Sequence, residues 1–182
     1  RAGRRPEDVG LRLTAGRFHD RLLGGPALAA LIQEDVGANP EDPHEGGHGT
    51  FSFDVVNGVA GLLTGLEIAD GFLRSGSITH AVVVGGDADP GHHLAPDFPY
   101  DPAGAAVVCG WSDDASGLVA TRWRTAPERT SSASAVIHLE GGRNVLRIAE
   151  DDSFVAEAAD LAAAVTVDLL DEQGRRAEDV VV

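Results

Sequence analysis

The chain has 182 residues, 43% of them hydrophobic, and sets 29 acidic against 14 basic side chains for a formal charge of −15. That length suffices for one well-buried domain, because folding at this size removes about 70% of the unfolded surface from water. The acidic balance, with every basic group an arginine, argues against nucleic acid as a partner, and no apolar run approaches the roughly 18 residues that span a membrane. No charged-then-apolar leader opens the chain, and the single cysteine, Cys109, permits no internal disulfide and suits a reducing compartment. A cytoplasmic location is therefore expected.

Val9 to Ala15 (VGLRLTA) reads as a strand, and Pro26 to Val36 (PALAALIQEDV) as a helix opened by proline in its first turn and stopped by Gly37. Between this helix and the next strand lies HEGGH, His44 to His48, a match to the H-E-x-x-H of zinc metalloproteases. That motif works on a helix, where histidines at i and i+4 share a face and the Glu sits beside a metal-bound water. Here both variable positions are Gly, each about 1 kcal/mol worse than Ala in a helix, with Pro43 before and Gly49 after. A loop is expected, and no metal site is assigned to it.

Phe51 to Val56 (FSFDVV) is the next strand, and Asn57 stands as N-cap of a helix over Gly58 to Ser75. Val59, Leu62, Leu63, Leu66, Ala69, Phe72 and Leu73 give that helix one apolar stripe. Ile78 to Val84 (ITHAVVV) is a nearly continuous apolar strand ending in Gly85-Gly86-Asp87, as expected of a strand buried on both faces. The β-α-β-α-β alternation predicts a parallel or mixed sheet covered by helices. Pro90 to Pro102, with four prolines and His92-His93, is a long loop of the kind that lines sites. Hairpin-like strands follow at Ala103–Trp111, Leu118–Arg124, Ala133–Leu139 and Asn144–Ile148, then a helix at Phe154–Leu170 and a last strand from Asp179.

Residues 3 to 9 read GRRPEDV and residues 174 to 180 read GRRAEDV. Each follows a stretch suited to a helix or opens the chain, and each enters an apolar strand, so a duplicated unit is expected. On that reading 1–150 is a first repeat and 151–182 the start of a second. With Arg1 in place of an initiating Met, a processed or partial product is expected.

Phe53-Asp54-Val55-Val56-Asn57-Gly58-Val59-Ala60-Gly61-Leu62, then Leu66 to Asp70, Arg74-Ser75-Gly76, Val82 to Asp87 and Ala103 to Val108, together resemble the thiolase-like condensing enzymes. The resemblance is greatest to β-ketoacyl-acyl carrier protein synthase III, with its F-D-x-x-x-A-C-S-G helix start and G-D-G-A-G-A strand entry. It implies an α/β thiolase-like fold of duplicated α-β-α-β-α layers, of which this chain supplies about one repeat. In that family a Cys at the helix start takes an acyl group from coenzyme A, its pKa lowered by the helix dipole and a His. The His and an Asn then stabilise the enolate formed on decarboxylation of malonyl-carrier protein. Here the Cys position falls on Val59, whose isopropyl group attacks nothing, and the His and Asn would follow the strand beginning at Asp179.

The resemblance makes Asn57, Gly58 and Val59 a pocket floor, and makes Leu22 and Leu23, where the family reaches the partner's acyl pocket, further substrate-binding candidates. No catalytic residue is assigned. Cys109 stands as a displaced nucleophile or, preferably, as a buried structural thiol. Thr64 reads as a packing residue; His44, His48, His92 and His93 as loop histidines; Asp87 and Asp101 as turn formers. Arg122, Trp123 and Arg124 offer either a coenzyme A contact or an amphipathic surface strand, the second being preferred.

The implied role is an acyl-thioester-binding or non-catalytic partner in fatty acid or polyketide assembly. Two alternatives stay open: an acyltransferase without a covalent enzyme intermediate, and a structural subunit dimerising through Phe51 to Val56. No cofactor is expected to be permanently bound; coenzyme A or acyl carrier protein thioesters are the implied substrates. A homodimer, or a complementary chain carrying the second repeat, is the implied assembly, with acyl carrier protein as a further partner.

Overall fold

Leu11, Leu13, Ala69, Ala81 and Val83 form the buried centre of the chain, and the elements that carry them define its main sheet. A computed structural model describes residues 3–16, 18, 22, 25–39, 49–114, 116–129 and 131–180. Its elements are β1 (Leu11–Thr14), α1 (Leu28–Val36), β2 (Phe51–Asp54), α2 (Gly61–Arg74), β3 (His80–Asp87), β4 (Ala103–Gly110), β5 (Ala133–Glu140), β6 (Arg143–Glu150) and α3 (Phe154–Glu172). By packing the chain divides into Arg1–Leu94 with Phe98–Ala115, and Ala95–Asp97 with Ser116–Val182. That division concerns contacts, whereas a 1–150 and 151–182 division concerns repeated sequence.

In the first unit the strand order is β2-β1-β3-β4. β1 is parallel to β2 and β3, and β4 runs antiparallel to β3 over eight paired residues, so the mixed sheet expected from the alternation is formed. Alternation along β1 sends Leu11 and Leu13 to one face, where α2 covers them. α1 serves the other face: the Asp54 carboxylate accepts from the backbone N–H of Leu28 and Ala29, at 2.8 Å each, and so caps α1 from β2. Gly37 ends α1 in the left-handed conformation, φ 68°.

In the second unit β5 and β6 pair antiparallel, with Gly141 and Gly142 at φ 56° and 78° in the two-residue turn between them. Two positive φ angles in succession are what such a turn demands. Leu118–Arg124 is not a strand. Its Arg122 and Arg124 instead pair with Glu172 and Asp168, one turn apart on α3, so the segment is held along a helix by side chains.

The strand expected from Asp179 lies largely outside the described residues. Within them, Ala177–Asp179 is a 3₁₀ turn and Val180, at φ −88° and ψ 121°, is extended. The same turn occurs at Pro6–Asp8. In both, a glycine with positive φ precedes (Gly3 at 66°, Gly174 at 61°). In both, Asp accepts from the Arg backbone N–H three residues earlier, at 3.2 Å for Arg5 and 2.9 Å for Arg176, and Arg also pairs with the intervening Glu.

Candidate functional site

The three parallel strands end on the same side of the sheet, and crevices outside such ends are where ligands bind in α/β folds. Here those ends are Ala15-Gly16 after β1, Val55 to Val59 after β2, and Gly86-Asp87 closing β3. They are pinned together. Ala15 N donates to Val84 O, Val55 N to Thr14 O at 2.8 Å, and Ala88 N to Phe18 O at 2.9 Å, while Phe18 N donates to Asp87 Oδ1 at 2.6 Å. Asp87 thus ties two strand exits. At Gly16 a Cβ would stand 2.2 Å from Gly86 O, so no side chain fits there.

α2 starts at this edge and lies close on the sheet because the face it presents is small. Its buried residues are Gly61, Gly65, Ala69 and Leu73, at successive i+4 positions. A Cβ on Gly61 would lie 3.3 Å from Ala15 O, and one on Gly65 2.7 Å from Val83 Cγ1. The amino end of α2 is therefore fixed at the end of β1.

Asn57 does not cap α2. Gly58–Ala60 form a 3₁₀ turn before the helix, and the Asn57 amide donates to Thr64 Oγ1 at 2.9 Å, which in turn donates to Ala60 O at 3.1 Å. Thr64 is thus a polar tie, not a packing residue. Gly58 takes φ 50°, and Val59 projects from the turn, 93% exposed. The first N–H groups of α2 receive no side-chain cap, so the positive end of its dipole is presented beside residue 59. That field lowers a thiol pKa; an isopropyl group has nothing to ionise.

The remaining predicted residues belong to other segments of the chain. Leu22 is half-buried with φ 55°. Leu23 and the HEGGH stretch lie outside the described residues, and among those described no three His, Cys, Asp or Glu side chains are grouped to hold a metal ion. Cys109 sits in β4 opposite Ala81 and packs against the core; burial pushes its thiol pKa up, the reverse of what a nucleophile needs. His92 and His93 are exposed, with left-handed backbones at φ 54° and 57°. Arg122 and Arg124 are engaged with α3.

Sequence reasoning missed the aromatic cluster beside the β1 exit, where Phe18 meets Phe98 edge-on at 5.6 Å and stacks with Tyr100 at 6.1 Å. Its signal was the F-x-Y spacing inside the proline-rich loop. The helix stripe of Gly61 and Gly65 was also missed, because the apolar pattern draws attention to the large residues between them. No helix among the described residues is long and apolar enough to cross a membrane.

No protein-family model matches the chain. The β-ketoacyl-[acyl-carrier-protein] synthase III of Rhizorhabdus wittichii is 31% identical over 126 residues, 66% of this chain and 36% of that protein. The protein of the same name from a Synechocystis strain is 36% identical over 86 residues, 47% of this chain and 22% of that one. Among solved structures, a 3-oxoacyl-(acyl-carrier-protein) synthase III superposes with a TM-score of 0.73 at 16% identity, over 99% of this chain and 57% of that one. Xanthomonas campestris OleA, solved with bound lauric acid and lauroyl-CoA, gives 0.70 at 20% identity, over 98% and 55%. The chain spans about a third of the first of these relatives and just over half of each solved structure.

Proposed function

Taking as premise that the chain is a thiolase-like homologue of β-ketoacyl-[acyl-carrier-protein] synthase III, we propose that it acts in fatty acid or polyketide-type acyl metabolism and binds an acyl thioester without becoming acylated. The observation that carries this reading is Val59. It occupies the exposed turn at the amino end of α2, where uncapped N–H groups favour negative charge. An acyl thioester whose carbonyl oxygen lies against that helix end gains polarisation. With valine at the tip, no covalent bond to the protein forms, and the thioester is held or passed on intact. In this reading Asn57, Gly58 and Val59 are the floor of the acyl pocket, and Leu22 is a candidate for its wall.

The exposed edge strand β2, with Phe51 57% exposed, supports assembly as a homodimer or with a complementary chain along that edge. Acyl carrier protein is the thioester donor consistent with the relatives' name. Direct transfer from a bound thioester to a bound acceptor would use the same floor, and turnover with an acceptor distinguishes transfer from binding alone.

The test is intact mass spectrometry of the full-length protein and its Val59→Cys variant after incubation with a short acyl-coenzyme A, alongside calorimetric titration of the wild type. Expected are thioester binding without an adduct in the wild type, and an acyl adduct on residue 59 in the variant. An adduct on the wild type, at Cys109 or elsewhere, overturns the reading; so does the absence of any thioester binding.

A further inference from the structure

The sheet face turned away from α2 holds a charge that pairs with no carboxylate among the described residues. Arg12 and Thr14 alternate with Leu11 and Leu13 along β1 and so share the opposite face. Register places Ser52 and Asp54 beside them on β2, and Val82 and Val84 beside them on β3. The β2 groups are already engaged with α1: Asp54 caps it and Ser52 bonds Gln33. The β3 side offers only methyl groups. Arg12 is 3% exposed and Thr14 2%, and Arg12 Nε and Thr14 Oγ1 are sealed from solvent with no hydrogen-bond partner.

Two such atoms, two residues apart on one face, are not an ordinary surface lapse, because buried polar groups in folded proteins are paired. Arginine remains protonated in proteins, so the route by which a buried lysine sheds its charge is closed. Burial alone acts on Arg12, pushing its pKa down, and no carboxylate opposes that effect. An anionic partner would supply both the missing hydrogen bonds and the counter-charge. The sealed atom is Nε, which lies on the edge of the guanidinium that meets a carboxylate through two parallel N–H donors. The Thr14 hydroxyl supplies a third donor one pleat further along.

We propose that Arg12 and Thr14 form a carboxylate-binding site on the α1 face of the sheet. The carboxylate comes from a free carboxylic acid or from an acidic side chain elsewhere in the protein. The site stands apart from the thioester reading, and its test reads stability, which acyl transfer does not move. Thermal unfolding of the full-length wild type, Arg12→Met, Arg12→Lys and Thr14→Val proteins is followed in sodium acetate and in sodium chloride of equal ionic strength.

For a free acid, acetate raises the wild-type midpoint above chloride, as ligand linkage requires. Arg12→Met then abolishes the rise, and Arg12→Lys and Thr14→Val reduce it. For a side chain of the protein, the wild type responds equally to both salts, Arg12→Met lowers the midpoint by several degrees, and Arg12→Lys, which keeps a donor but not the two parallel ones, recovers only part of the loss. The proposal fails if Arg12→Met melts at or above an acetate-insensitive wild type. It fails also if the acetate rise persists in Arg12→Met, or if Arg12→Lys recovers nothing, which marks a loss of packing alone. Should Arg12→Met not fold, Arg12→Gln replaces it under the same criteria.

Discussion

α2 and α3 are held in opposite ways. α3 is the longer, 19 residues against 14, and its alanines favour helix, yet none of its residues is buried. α2 carries Gly61, Gly65 and Gly71, each about 1 kcal/mol worse than Ala in a helix interior, and buries four residues on the sheet. Intrinsic propensity therefore favours the helix that packs less. Two of the glycines that weaken α2 as an isolated helix let its backbone approach β1 and β3, and tertiary packing more than offsets their cost. α3 is instead tied at Asp168 and Glu172 by arginines from an irregular segment.

This contrast can be broken or sharpened by mutation, and the largest effect belongs beneath α2. Leu13 is fully buried, so Leu13→Ala should cost about 2–5 kcal/mol in denaturant titration; a loss below about 1 kcal/mol would remove the sheet under α2 as the source of its stability. Two substitutions within α2 are expected to differ in sign. Gly65→Ala puts a methyl 2.7 Å from the stiff, buried Val83 and should destabilise by about 1–3 kcal/mol. Gly71→Ala meets nothing within 4 Å and should stabilise by about 0.5–1 kcal/mol. Equal responses would mean that α2 does not rest on the sheet through its glycine face.

Smaller effects are expected in the second unit. The Arg122–Glu172 and Arg124–Asp168 pairs are roughly 40% exposed, and double-mutant cycles should return about 0–1 kcal/mol for each. A coupling above about 2 kcal/mol would make α3 as dependent on its neighbours as α2. The least effect is a pH dependence in the β5–β6 hairpin. A side-chain hydrogen bond from Arg147 holds Glu140 below the usual Glu range. Its contribution is present above the unfolded pKa and is lost as pH falls through the lower folded value. Backbone protection factors in the hairpin should fall on acidification below the ordinary Glu range, and Arg147→Gln should remove that response.

Much of this architecture was legible in the sequence. The run of apolar residues in Ala81 to Val84 and the stripe of α2 carried the mixed sheet and its covering helix, because burial on a regular element leaves a period in the sequence. Leu118 to Arg124 misled. Val119, Thr121 and Trp123 are residue types that favour strands, but Arg122 and Arg124 find their partners on α3, 44 to 50 residues later. Asn57 fits the composition of an N-cap, yet a 3₁₀ turn over Gly58–Ala60 intervenes and leaves Ala60 at the start of the helix.

Part of the candidate site was legible through its resemblance to synthase III, which placed Val59 at the start of a helix. The exposure of its side chain and the Asn57–Thr64 tie depend on backbone angles that residue types do not fix. Arg12 was the least legible of all. In L-R-L-T an arginine between leucines reads as facing water, and only α1, placed by the distant Asp54, makes that face an interior one.

The paired turns at Arg5–Asp8 and Arg176–Asp179 differ in what comes next. Val9 is 7% exposed and Val180 50%, while the turns keep the same hydrogen bonds to their own Asp. Their shape is thus set largely within the turn, by the positive-φ glycine before it and the Arg–Asp hydrogen bond. For protein engineering, that makes Arg-x-x-Asp a compact module: the four residues carry their own hydrogen bonds and set the direction in which the chain leaves.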